Sequence, residues 1–153
     1  MKTLMIPTDF TNEGIQIAEA MVRDLNEEVK IVFTHLFHVA DDIQDLLFSG
    51  GREKEYELVS EDFWANCKVL KDIYASQIKS IKIDFFYGNK MAALRNFLEY
   101  HQADMIVYSE NYGIPKLNKS SLDALPVFKK CGVTLINTDL INVSALADAD
   151  NVN

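Results

Sequence analysis

Apolar residues along this 153-residue chain gather in short runs separated by longer amphipathic stretches. Residues 3–6 form an apolar run that stops at Pro7, a residue that cannot donate to a sheet ladder, so a buried strand enters a loop there. Ala18, Met21, Val22 and Leu25 then fall on one helical face. Thr11 or Asn12 can cap that helix, Glu13 suits its positive end, and Asn26 ends it. Residues 29–39, rich in Val, Ile, Phe and Thr, predict a second strand. A short helix is expected over 41–48, and Ser49, Gly50 and Gly51 interrupt the pattern. Tyr56, Val59, Phe63, Cys67, Leu70 and Tyr74 recur at threes and fours and predict one long helix over about 53–78. Trp64 flanks that stripe and is expected in the core.

The period then returns to two: Ile81, Ile83 and Phe85 alternate with Lys82, Asp84 and Phe86, and Gly88 closes this third strand. Met91, Leu94, Phe97, Leu98 and His101 mark another amphipathic helix. Residues 103–108 are almost continuously apolar, as a central strand requires. A polar loop over 109–121 precedes a helix reaching about Cys131, which Pro126 must kink or shorten. Residues 133–136 are the fifth strand. Alternating strands and helices predict a three-layer α/β/α sandwich around a five-stranded parallel sheet, Rossmann-like, with right-handed crossovers. Residues 1–138 make one domain. Residues 139–153, with three Asp and no basic residue, form an acidic tail expected to be disordered or to lie against a partner.

Composition narrows the function. The formal net charge of -8 repels phosphate backbones and anionic lipid, so neither nucleic acid nor membrane is an expected partner. No apolar stretch approaches the roughly 20 residues of a membrane span, and the start lacks a signal-peptide core, which makes the cytoplasm the expected location. Cys67 and Cys131 stand far apart and read as free buried thiols, with a disulfide or redox pair as the alternative. His35 and His38 have HxxH spacing, but three residues apart on a strand they point to opposite faces and cannot share a metal. The Ser49-Gly50-Gly51 turn lacks the Asp that an ATP-pyrophosphatase loop needs. The acceptor patterns at Asn118 and Asn142 carry weight only in a secreted protein. No Ser-His-Asp order, Walker loop or paired-carboxylate site is present, and Asp41-Asp42 and Glu61-Asp62 read as helix starts.

In an open parallel sheet, ligands bind beyond the carboxyl ends of the strands where strand order reverses. The loops gathered there follow Pro7, Val39, Gly88 and Tyr108. Asp9 suits two roles equally: accepting a hydrogen bond from a ribose hydroxyl or exocyclic amine, and forming the turn before the first helix.

These residues together resemble the universal stress proteins. Leu4-Met5-Ile6-Pro7-Thr8-Asp9-Phe10-Thr11 is similar to their opening, and the second strand with its His-Val ending is similar to theirs. So are Gly88 before an amphipathic helix and Ala103-Asp104-Met105-Ile106-Val107. The resemblance covers roughly residues 2–137 and implies the strand order 3-2-1-4-5. It also implies an adenine-nucleotide site whose candidates here are Pro7, Thr8, Asp9, Val39, Gly88, Tyr108, Ser109, Gly113, Ser120 and Ser121, with Asp9 and Val39 on the adenine side. In the family the loop after the fourth strand reads Gly, two residues, Gly, nine residues, Gly and Ser or Thr. Such glycines let backbone N–H groups approach phosphate. In this chain the glycine positions hold Ser109, Tyr112 (with Gly113 following) and Ser120, the loop is about two residues shorter, and Glu110 adds negative charge. A carboxylate close to a polyphosphate costs on the order of 1–4 kcal/mol, which Lys116 and Lys119 offset only in part.

The resemblance therefore implies a non-catalytic cytoplasmic stress-response or signalling protein with no required cofactor and a degenerate nucleotide site. A homodimer is implied through the edge strand Val133, Thr134, Leu135 and Ile136, since an unpaired apolar edge favours being covered; the acidic tail leaves from the same edge and is the other candidate cover. Two alternatives stand beside it: weak binding and slow hydrolysis of ATP or another adenine nucleotide, and an interaction module for an unknown protein partner.

Overall fold

The computed structural model describes residues 1–39 and 56–141. The helix expected over 41–48, the turn at Ser49-Gly50-Gly51 and the pattern at Asn142 lie outside the described residues. Five parallel strands, β1 (Lys2–Pro7), β2 (Val29–Phe37), β3 (Ile78–Tyr87), β4 (Met105–Tyr108) and β5 (Thr134–Asn137), lie in the order β3-β2-β1-β4-β5, as the sequence implies. Helices α1 (Asn12–Leu25), α2 (Glu61–Ile73), α3 (Met91–Tyr100) and α4 (Ala124–Phe128) connect them. Because side chains alternate across a strand, the sheet feeds two apolar layers. Ile31, Phe33 and Phe37 of β2 pack with α1 and α2, whereas Val32 and Leu36 pack with α3 and α4. The first layer is rich in aromatic rings. Phe63 meets Phe10 and Phe33 edge-on at 5.5 and 5.1 Å, and Phe10 meets Phe85 at 5.7 Å, the geometry that ring quadrupoles favour.

Three local expectations fail for identifiable reasons. Residues 53–55 of the helix predicted over 53–78 lie outside the described residues; over 56–78 its long helix is α2, which starts at Glu61 because Ser60 caps it, its Oγ accepting from the Phe63 N–H at 3.1 Å. Glu61 and Asp62 complement that positive end. Tyr56 and Val59 continue the stripe in sequence but precede the cap. Trp64 is 43% exposed rather than in the core: Phe63, Cys67 and Leu70 define the buried line, and Trp64 sits about 100° round the helix from it. β3 begins at Ile78, three residues before its alternation becomes visible, because the register shifts between Val29 and Lys30 and an irregularity hides the period.

The ends of other elements follow the same logic. Asn26 closes α1 in the left-handed conformation, as an Asn tolerates. Thr11 occupies the N-cap position of α1 but makes no capping bond; its hydroxyl is used elsewhere. Pro126 falls within the first turn of α4, where no N–H partner is lost, so it shortens the preceding expectation without kinking a helix. Cys67 and Cys131 are free and buried, and burial pushes the Cys67 thiol up to about 12, which leaves it unreactive at neutral pH. β5 lies at one edge of the sheet, as expected for residues 134–136, with Val133 just before it. No helix among the described residues is long and apolar enough to cross a membrane.

Truncating Phe63 to Ala removes two ring partnerships, with Phe10 and Phe33, in one step and is expected to lower unfolding stability by about 3–5 kcal/mol, whereas Trp64→Ala should cost about 1 kcal/mol or less. Urea unfolding of the two variants measures the contrast.

Candidate functional site

The strand order reverses between β1 and β4, so the crevice opens above the carboxyl ends of those two strands. Pro7 ends β1 opposite Thr34, and the Thr8 N–H continues the ladder to the Thr34 carbonyl at 2.9 Å. The buried Thr8 hydroxyl then accepts from the Phe10 N–H at 3.0 Å, bending the chain so that Phe10 takes a φ of 61°. A bulky residue there is strained by on the order of 1–3 kcal/mol, which burial of its ring in the aromatic layer offsets. The turn also depends on Gly14 of α1, where a Cβ would come within 2.5 Å of the Thr8 hydroxyl.

Tyr112 reaches across from the β4 loop and fills the space above this turn. Its hydroxyl donates to Asp9 Oδ1, accepts from the Asp9 N–H at 3.2 Å, and lies 3.3 Å from the Thr11 hydroxyl and 3.5 Å from that of Thr8. The Thr11 hydroxyl itself donates to Asp9 Oδ1 at 2.7 Å. Asp9 thus meets the loop that follows β4, and its carboxylate and N–H are engaged by side chains of the same chain. Gly113 follows with φ 67°, and the β-branched Ile114 is also left-handed at φ 46°. Two such residues in succession turn the loop back over the sheet before Pro115.

Ser109 donates to Asp139 Oδ1 at 2.6 Å, and the Asn111 N–H donates to Asp139 Oδ2 at 2.9 Å. A hydroxyl and a backbone N–H converging on one carboxylate are the donors an anion would otherwise use. Asn137 supports the arrangement, its Oδ1 accepting from the Asp139 N–H at 3.1 Å and the Glu110 N–H at 3.4 Å. The Tyr108 carbonyl accepts from the Thr138 hydroxyl at 3.2 Å.

The far end of the same loop closes the crevice from the β2 side. β1 stops at Pro7 while β2 continues, which leaves a free ladder edge at residues 36–38. Residues 120–122 take it in antiparallel sense: the His38 N–H donates to the Ser120 carbonyl at 2.7 Å and the Leu122 N–H to the Leu36 carbonyl at 2.8 Å. Beneath this clip lies His35, only 2% exposed. Its Nδ1 is 2.7 Å from the Thr8 carbonyl, which can only accept, so Nδ1 carries the proton and Nε2 accepts from the Ser121 hydroxyl at 2.7 Å. Burial lowers the His35 pKa below the usual 6.5, against upward pulls from the Thr8 hydrogen bond and the Asp9 charge. The pair has the spacing of a nucleophile and its base. Yet Ser121 Oγ also accepts from the Leu117 and Asn118 N–H groups at 2.9 and 3.2 Å. Its lone pairs are spent, which makes it a structural pin rather than a nucleophile.

The candidate residues therefore divide into three knots: Thr8 and Asp9 with Tyr112, Ser109 with Asp139, and Ser120 and Ser121 with β2. Val39 and Gly88 lie together at the strand ends beyond them. Val39 is 56% exposed, a Cβ at Gly88 would lie 3.0 Å from its Cγ2, and the Gly88 N–H donates to the Phe37 carbonyl at 2.7 Å with φ 93°. Sequence reasoning placed Tyr112 only as a lost glycine and missed His35 and Asp139 as partners. Two open volumes adjoin these knots among the described residues: about 250 Å³ bordered by His35, Lys116, Ser121 and Asp123, and about 100 Å³ bordered by Glu13, Ser109 and Tyr112. Both fall below the roughly 300–1,000 Å³ of ordinary ligand pockets. No cluster of metal-ligating side chains occurs among the described residues.

No protein-family model and no curated protein matches the chain. Solved structures do match its fold. Hypothetical protein MJ0577 superposes with a TM-score of 0.57 at 17% identity, covering 89% of this chain and 94% of that one. Universal stress protein UspA from Lactobacillus plantarum gives 0.57 at 10% identity, covering 89% and 96%. Hypothetical protein PH0823 gives 0.55 at 15% identity, covering 89% and 94%. The chain has the α/β fold found in these proteins.

Tyr112→Phe removes the hydroxyl on which four polar groups of the β1 turn converge. It is expected to cost about 1–2 kcal/mol in thermal or urea unfolding, the loss for an unmade charged hydrogen bond.

Proposed function

We infer that this protein is a non-catalytic, universal-stress-type protein that does not bind ATP in the manner its fold permits and acts through protein contacts in stress response or signalling. One observation carries the reading. The crevice at the strand-order reversal is occupied by the chain's own groups, with Tyr112 on Asp9 and Asp139 on the donors of Ser109 and Asn111. A nucleotide would have to displace a carboxylate that is covalently tethered and so present at high effective concentration. It would also meet the Glu110 charge in a protein of net charge -8.

The engagement of Ser121, whose oxygen takes two backbone N–H donors while its proton goes to His35, supports the non-catalytic part. Assembly through β5 into a homodimer is part of the proposal and draws support from the position of that half-buried strand at the sheet edge. A cytoplasmic location is likewise proposed from the sequence features alone.

Millimolar Mg-ATP, AMP or adenosine is expected to leave the melting temperature unchanged, because a ligand at 100 times its Kd would add about 2.7 kcal/mol and be easily seen. A clear upward shift with any of the three would overturn the reading in favour of a nucleotide-binding protein. Sedimentation at micromolar concentration should give twice the chain mass; a monomer under those conditions would remove the dimer from the proposal.

A further inference from the structure

We propose that His35 is a proton-operated latch that holds the 113–123 loop closed over the crevice and releases it on acidification. The inference goes beyond the functional reading above, since a latch of this kind works whatever the crevice does when open.

The geometry has one stable proton arrangement. The Thr8 carbonyl fixes the proton on Nδ1, and the Ser121 hydroxyl spends its only proton on Nε2. Adding a proton to Nε2 sets two donors against each other. The hydroxyl cannot simply turn round and accept, because Leu117 and Asn118 already donate to the same oxygen. A cation would also be created at a site 2% exposed. The rings of Phe10 and Phe37 pack against the imidazole, and Phe85 of β3 lies opposite it in register. Of the charged groups around it, Asp9 from the β1 turn favours the cation, while Lys116 and Asp123 border the adjoining cavity from the loop itself and carry opposite charges. Burial is the largest influence on the ring and opposes its proton.

Release is confined to the loop, which packs only Leu117, Ile114 and Leu122 against the apolar layers as partly buried side chains. Beyond the Ser121 pin, two backbone hydrogen bonds, from His38 and Leu122, tie residues 120–122 to the end of β2. The loop already carries left-handed strain at Ile114. The sign follows from linkage. The closed state holds His35 neutral, its pKa lowered by burial, and so binds fewer protons than an open state in which a solvated imidazole has its ordinary pKa of about 6.5. Closure is therefore fully stabilised above that pH and weakens as pH falls through it, by about tenfold per unit for one proton.

The test is amide hydrogen exchange followed by NMR on the full chain between pH 7.5 and 5, read as protection factors so that intrinsic rates cancel. Protection at His38 and Leu122 should fall about tenfold per unit below pH 6.5, while Met5 and Val32 in the central strands keep theirs. In His35→Gln the two clip amides should lose their pH dependence. Should that variant not fold, Ser121→Ala serves: it frees Nε2 from its donor, so the imidazole should titrate at a higher pH than in the parent. Flat protection across the range, an equal fall in the central strands, an unchanged slope in His35→Gln, or an unmoved imidazole titration in Ser121→Ala would each overturn the latch.

Discussion

A parallel sheet whose strand order reverses leaves a crevice lined with backbone donors, acceptors and turn side chains, and those polar groups need partners. That requirement governs this molecule. In proteins that hold a ligand at such a crevice, part of the demand is met by the ligand. Here it is met by Tyr112, Asp139 and the Ser121–His35 pair, all from the same chain. The rest of the site follows: the small residual cavities, the strained turns at Phe10 and Ile114, and the antiparallel clip on the end of β2 are the geometry by which one loop reaches all three knots.

The scaffold beneath is built to carry that loop. The aromatic layer around Phe63 buries the ring of Phe10, and so fixes the turn that presents Asp9 and Thr8. The extra length of β2 beyond β1 supplies the free ladder edge for residues 120–122. Packing thus determines where the polar groups stand, and the polar groups determine what the crevice admits. His35 joins the two levels: it lies on the aromatic face of β2 yet spends both ring nitrogens on the loops above.

Much of the architecture was legible in the sequence because it rests on local period. α1, α3 and the visible part of β3 show clean 3.6-residue or twofold patterns, the other strands stand out as short apolar runs, and the resemblance to universal stress proteins orders the strands. α2 was misread because a serine cap at Ser60 interrupts an apolar stripe that continues through it, and period alone does not register a cap. The start of β3 was hidden by a register shift. At the site, the sequence points to Ser109 and Tyr112 only through the glycine pattern of the proteins it resembles. Their partners are not legible there, because Tyr112 meets Asp9 across 103 positions and Asp139 meets Ser109 across 30. His35 was considered only as half of an HxxH pair. A lone polar ring at an inward position of an apolar strand was the available signal.

All of this turns on the chain's own groups occupying the crevice between β1 and β4. A crystal structure of the full chain grown in millimolar Mg-ATP tests it most directly. The Tyr112 hydroxyl is expected on Asp9 and the Asp139 carboxylate on Ser109 and Asn111, with no nucleotide between them. A nucleotide seated there, with the Tyr112 ring swung aside and phosphate oxygens in place of the Asp139 carboxylate, would contradict it.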